Sequence, residues 1–332
     1  MGRGEAAVSA LLILAALAAT AAPAAPRAAA QVAPATCVMD RADAKWINGA
    51  LANWVVAERA LLRLPAVPVP TVVVADRTCQ FDGSGGALPL RWSGRPHGGK
   101  LHLPDGSAPP VGVISFAGAT AKGEPFFVMS LPSVWRAGGV TSALGLERMM
   151  DGVLLHEMMH TRQFAKAASR MRSLEARLGT EISDDALQEK FSKNPAYVAA
   201  WKAENDRFYA ALLQRNPVIA RRQFRQALAM MAQRRRRFLS GPNRAWAEAD
   251  RLFLAMEGMG QWLIYHWING ATPKAVPTAA SLEPVRRGRK WWTQEQGLAL
   301  FLLLDRFSPD WRRNQATVDP TRLDALLARA AP

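Results

Sequence analysis

The sequence predicts an α+β fold that is predominantly helical, and three observations predict it. Short runs rich in β-branched and aromatic residues, bounded by Pro and Gly, are confined to the stretch 71–129. A largely apolar stretch that reads as one buried helix follows over about 141–166. Beyond it, polar residues suited to capping recur, several directly before a proline, which reads as a series of helix starts. The expected order is an N-terminal helix and small mixed sheet over 31–140, a helical core over 141–270, and a C-terminal helical region over 271–332 packed on that core.

Residues 1–30 read as a signal peptide that precedes the fold. Met1, Gly2 and Arg3 give a short positive start, an apolar run is centred on Leu11, Leu12, Ile13 and Leu14, and Ala28 and Ala30 stand at the spacing of a cleavage site. The apolar run falls short of the roughly 20 residues that span a bilayer. Asp40 then caps a helix to about residue 64, in which Trp46, Ile47, Leu51, Trp54, Val55, Leu61 and Leu62 form an apolar stripe ended by Pro65. Strands are expected at 71–74, 111–116 and 126–129, with Leu101 and Leu103 marking one more. The Gly- and Pro-rich stretch 83–110 reads as a lid over the site or as a surface loop.

After the long helix, starts are expected at Ser183 or Asp184, at Asn194-Pro195 and at Asn216-Pro217. Asn243 caps a helix to about His266 that stops before Asn269-Gly270. Residues 271–290 form a Pro-rich basic loop, Thr293 with Gln296 resembles a capping box for a helix through Phe307, and Ser308-Pro309 and Asp319-Pro320 open two shorter helices. The four arginines Arg234, Arg235, Arg236 and Arg237 read as a solvated helix end, with an anion-binding face as the alternative.

Composition bounds the environment and the partners. The formal net charge is +15, and it falls by one when Arg3, Arg27 and Glu5 leave with the signal. Such a protein is drawn to anionic surfaces. Export to the periplasm or outside makes anionic cell-envelope components the expected partners rather than nucleic acid. The Leu298 to Leu304 run is short and closed by Asp305 and Arg306, so the exported chain is expected to be soluble. Cys37 and Cys79 are the only cysteines, and in an oxidising compartment they read as one disulfide.

The chemistry centres on His156-Glu157-Met158-Met159-His160. Residues i and i+4 of a helix project side by side, so two imidazoles can share one ion, while Glu157, turned about 100° away, reaches the water on it. This is half of a catalytic zinc site, with one Zn2+ expected per chain and Glu157 as base. The metzincin continuation is absent, because Gln163 occupies its glycine position and no histidine lies nearby. A single Glu-x-x-His also falls short of a di-iron bundle, which wants a second. A third ligand must come from elsewhere, and Glu248 and Glu257 are the candidates; nine residues apart, they lie about 180° apart on a helix.

The segment Phe253-Leu254-Ala255-Met256-Glu257-Gly258-Met259-Gly260-Gln261-Trp262 resembles the W-L-x-E-G-x-A-x-Y/W pattern that supplies the zinc glutamate in gluzincin-type metallopeptidases of the peptidase MA-like group. The resemblance covers the two motif helices and implies a zincin-like fold, Glu257 as third ligand and a peptide or protein substrate. Gly258 and Gly260 would let the two helices approach closely. Glu248-Ala249-Asp250 departs from the E-x-x-x-D element of other gluzincins, which ranks Glu248 second. The family's acidic residue four after the ligand is here Gln261, with Asp250 as a substitute for orienting a histidine. Tyr265 and His266 are the candidate transition-state stabilisers. The expected function is an exported zinc metallopeptidase; the alternative is a non-catalytic exported protein that binds anionic envelope components through its basic surface.

Overall fold

Asp40 accepts hydrogen bonds from the backbone N–H of Ala42 and Asp43 and so opens α1 (Arg41–Ala60) where the sequence places its start. The computed structural model describes residues 36–270, 276–313 and 318–331, so residues 1–30, expected to be a signal peptide, lie outside the described residues. Just before α1, Cys37 is disulfide-bonded to Cys79, 42 residues on, which ties the helix entry to the second strand. The remaining order is β1 (Thr71–Ala75), β2 (Cys79–Ser84), β3 (Arg91–Pro96), β4 (Ser115–Ala119), β5 (Pro125–Ser130) and the short α2 (Pro132–Ala137). The predominantly helical part follows, with α3 (Leu146–Leu178), α4 (Ala186–Phe191), α5 (Pro195–Leu213), α6 (Pro217–Phe238), α7 (Arg244–Asn269), α8 (Ala279–Leu282), α9 (Trp292–Phe307) and α10 (Leu323–Ala330).

The five strands form one mixed sheet in the order β3-β2-β1-β5-β4. The central pair β1 and β5 is parallel, with Val72 opposite Phe127 and Val74 opposite Met129, and the other pairs are antiparallel. Because side chains alternate along a strand, β1, β4 and β5 each serve two cores. Val72, Val74, Phe81, Phe127 and Met129 pack with α1 and with Leu154, Leu155, Met158 and Met159 of α3. Val73, Phe116, Phe126 and Val128 face the other way, under Leu101 and Leu103.

That second cluster corrects two expectations. Leu101 and Leu103 are not a strand; apart from the isolated bridge between Lys100 and Pro110, their stretch is irregular and covers the sheet face turned away from α3. The stretch 83–110 is therefore no lid over the histidine-bearing α3, and it also contains β3, whose exposed Arg-Trp-Ser-Gly-Arg-Pro sequence lacks the apolar alternation that marks a strand. The fourth strand starts at Ser115, later than expected, and its Ala117 and Ala119 lie against Phe164 and Ala167 of α3.

Helix α3, which carries both motif histidines, runs to Leu178, twelve residues past the expected end, because Ala167, Ala168, Met171 and Leu174 continue its buried stripe until Gly179 adopts φ 68° and stops it. Asn194 and Asn216 cap α5 and α6 through their side chains, as expected. The predicted capping box at Thr293 does not form: the N-cap of α9 is Trp291, two residues earlier, Thr293 Oγ1 donates to Asp184 O, and Gln296 Nε2 donates to Glu204. Ser308 and Pro309 begin a turn, with Trp311 N donating to Ser308 O, rather than a helix.

The arginine run also corrects the sequence reading. Arg234 and Arg235 turn inward from α6 and are buried: Arg234 meets Glu204, Asp250 and Tyr197, and Arg235 meets Asp250 and Asp324. Only Arg236 and Arg237 are exposed. The buried pairs join α5, α6 and α7 and are hydrogen-bonded on several sides, which is the condition under which desolvated charges are tolerated. At the centre, α7 is covered on nearly all sides, with α3 on one flank and α9 on another. No helix among the described residues is long and apolar enough to cross a membrane.

Candidate metal centre

The two histidines of α3 meet Glu257 of α7. His156 Nε2 lies 3.1 Å from Glu257 Oε2 and His160 Nε2 lies 3.2 Å from Glu257 Oε1, so one carboxylate spans both rings. The three residues offer ligand atoms that all lie within 4.8 Å of one another. Two ligands about 2.0–2.2 Å from a tetrahedral ion stand about 3.3–3.6 Å apart, so the separations fit an ion with little movement. His160 Nε2 and Glu257 Oε1 are buried and complete no hydrogen bond although they face each other, as expected of atoms turned toward a shared third body. Such buried polar atoms are costly unless something satisfies them.

Close approach of the helices has a specific cause. A Cβ on Gly260 would sit 2.5–2.7 Å from three ring atoms of His156, so only glycine leaves room for that imidazole. Gly258 acts elsewhere: its missing Cβ admits the backbone of Gly297, and it sets the crossing of α7 with α9 rather than with α3. Gly297 carries no motif around it, and sequence reading passes over it.

Neighbouring side chains orient the ligands. His160 Nδ1 lies 2.9 Å from Gln163 Oε1, an acceptor that places the ring proton on Nδ1 and leaves Nε2 for a metal. Gln294 Nε2 donates to Glu257 Oε2 over 3.2 Å, and Gln261 Nε2 donates to Gln294 Oε1 over 2.9 Å while lying 3.5 Å from His156 Nδ1. Gln261, where the resembled family has an acidic residue, thus stands beside His156. Asp250 does not substitute for it, because Arg234 and Arg235 hold its carboxylate. Sequence reading missed Gln163 and Gln294 as orienting groups. The available signal was the polar run Thr293, Gln294, Glu295 and Gln296, buried at the head of an otherwise apolar helix.

Charge at the site is unusual for so dry a place. His156, Glu157, His160 and Glu257 are each at most 2% exposed. Burial opposes a charge on His160, yet the carboxylates of Glu257 and Glu157 outweigh it and raise its pKa to about 9. Burial alone would raise the Glu257 pKa, but His160 and His156 hold it well below the usual carboxylate range. Asp184, in the turn between α3 and α4, is buried as well, and burial together with the charges of Glu257, Asp185 and Glu157 pushes it well above its ordinary value. Gathering Glu157, Glu257 and Asp184 around two imidazoles favours a cation in their midst.

The other candidates lie apart. Glu248 is engaged by Arg170 at 2.7 Å and Arg177 at 2.6 Å on the surface, which leaves Glu257 as the glutamate near the histidines. Tyr265 and His266 follow Glu257 by about 12 Å along the helix axis. The Tyr265 hydroxyl lies 3.2 Å from Ser281 Oγ, and His266 Nε2 lies 2.8 Å from Asp305 Oδ2.

No family model matches the chain, and no match is found among curated proteins or solved structures. The geometry itself, a small mixed sheet beside a helix carrying two histidines and a second helix carrying the glutamate, is consistent with a zincin-like layout. The group can hold a divalent ion through two nitrogens and one oxygen.

Proposed function

We propose that the chain is an exported zinc-dependent hydrolase that cleaves peptide bonds. The observation that carries this reading is the convergence of His156 Nε2 and His160 Nε2 on the one buried carboxylate of Glu257, with Glu157 next to the first histidine. Two imidazoles and a carboxylate form the donor set of catalytic rather than structural zinc, and a site serving structure alone has no need of a neighbouring base. Zinc, when bound, supplies a Lewis acid and brings the pKa of its water towards 7. His160 is held in the ligating tautomer by Gln163, and Gln294 steadies the Glu257 carboxylate. Glu157 takes a proton from the attacking water and passes it to the leaving amine. Tyr265 and His266 receive no part in this reading. The Cys37–Cys79 disulfide supports an oxidising compartment and hence export.

A second reading omits turnover: an exported protein that, with or without metal, binds anionic envelope components through its basic surface. Complete burial of the four motif residues favours it, since a substrate reaches Glu157 only after the covering segments open. Metal analysis of the purified chain beside His160→Ala and Glu157→Gln, with casein cleavage on the same samples, separates the two. The hydrolase reading expects stoichiometric zinc that disappears with His160→Ala, and cleavage that disappears with Glu157→Gln while zinc stays. Zinc without cleavage in the wild type supports the second reading, and absence of zinc after remetallation sinks the hydrolase and leaves the basic binding protein.

A further inference from the structure

About 15 Å beyond His160 along α3, the surface contains a cavity of about 290 Å³ that the metal centre does not use. Helix geometry builds it. Arg170 and Arg177 stand two turns apart on one face of α3, and Arg244, Glu248 and Arg251 follow one another at i, i+4 and i+7 along α7, with Thr321 closing one side. Four guanidinium groups therefore line the cavity against one carboxylate.

The carboxylate organises the cations and does not neutralise them. Glu248 Oε1 accepts from Arg170 Nε and Oε2 accepts from Arg177 Nη2. Arg251 is fixed by Asp324 at 2.8 Å and by Ala247 O at 3.1 Å. Arg244 has no ion pair among the described residues, although it occupies the first position of α7, where the helix dipole disfavours a cation. An unpaired arginine in an unfavourable place, beside three more held in fixed directions, is what recognition of a multiply charged anion requires. Guanidinium forks match the oxygen pairs of phosphate, and the volume lies at the small end of ligand clefts.

We propose that this cavity binds a phosphate monoester or pyrophosphate group, carried by a soluble anion or by a lipid headgroup. The metal centre and its chemistry play no part in the binding. The full chain with its metal is titrated calorimetrically with pyrophosphate, and its flotation with phosphatidate vesicles is compared with that on phosphatidylcholine vesicles. Arg244→Gln tests the cavity, and Arg236→Gln, an equal loss of charge on the exposed end of α6, is the control. Arg244→Gln weakens binding about tenfold or more, while Arg236→Gln leaves it within experimental scatter. Saturable pyrophosphate binding with that pattern assigns the cavity to a soluble anion. Phosphatidate binding with that pattern, without saturable pyrophosphate binding, assigns it to a headgroup. Equal losses in the two variants, or no binding to either probe, overturn the proposal.

Discussion

Replacing Gly260 by alanine tests whether the metal centre depends on the contact between α7 and the His156 ring. The new methyl would stand 2.5 Å from Nδ1, 2.6 Å from Cε1 and 2.7 Å from Cγ of His156. Ordinary contact begins near 3.4 Å, so the ring must retreat by about 0.9 Å or the helices must part. A metal ligand tolerates displacement of only about 0.2 Å. The metal-free protein can turn the ring aside, whereas the metal-bound form cannot, so the strain falls mainly on the bound state. Overpacking costs roughly 1–3 kcal/mol, which corresponds to a loss of about 5- to 150-fold in metal affinity. Competition against a chromophoric chelator measures it, and thermal unfolding of the metal-free protein measures the remainder. Gly258→Ala is the comparator, because its methyl meets the backbone of Gly297 and should lower stability in both forms alike. Metal affinity of Gly260→Ala within roughly twofold of wild type would refute the reasoning.

Two further outcomes follow from side chains that sequence reading left out or placed otherwise. Gln163→Leu removes the acceptor of His160 Nδ1, and metal affinity should fall about 10- to 100-fold in the same chelator competition; an unchanged affinity would show that the tautomer is set by another group. Asp250→Asn leaves Arg234 and Arg235 short of their shared carboxylate, and urea unfolding should show a loss of about 3–5 kcal/mol at neutral pH. Burial alone would raise the Asp250 pKa, but Arg234 and Arg235 hold it below 3.8. A lowered folded-state pKa contributes stability that is present above the unfolded value and lost as pH falls through the folded one. Wild type should therefore lose stability more steeply than Asp250→Asn below about pH 4, and parallel acid profiles would contradict the assignment.

How much was legible depended on whether the signal was local. The caps at Asp40, Asn194 and Asn216 were readable because a capping side chain bonds to backbone two or three residues away. Thr293 and Gln296 carry the same local pattern, yet Asp184 and Glu204 engage them across the fold, and the predicted box is absent. The third strand escaped notice because pairing with β2, rather than any apolar pattern of its own, makes it a strand. The arginines at 234 and 235 misled for a related reason: charge predicts exposure only until Glu204 and Asp250 arrive from other helices.

By itself the sequence determined the α+β class, the helix that places His156 and His160 on one face, and the two glutamates, Glu257 and Glu248, from which a third ligand could come, because i, i+4 geometry and short motifs are properties of local segments. Tertiary structure alone decided that Glu257 and not Glu248 stands at the histidines, that Gly260 and Gly258 serve different crossings, that Gln163 and Gln294 orient the ligands, and that Arg170, Arg177, Arg244 and Arg251 gather at one cavity. The physical reason is that helix rotation and the crossings of α7 with α3 and with α9 are fixed by packing between residues far apart in sequence, such as His156 with Glu257 and Gly258 with Gly297, which no local spacing encodes.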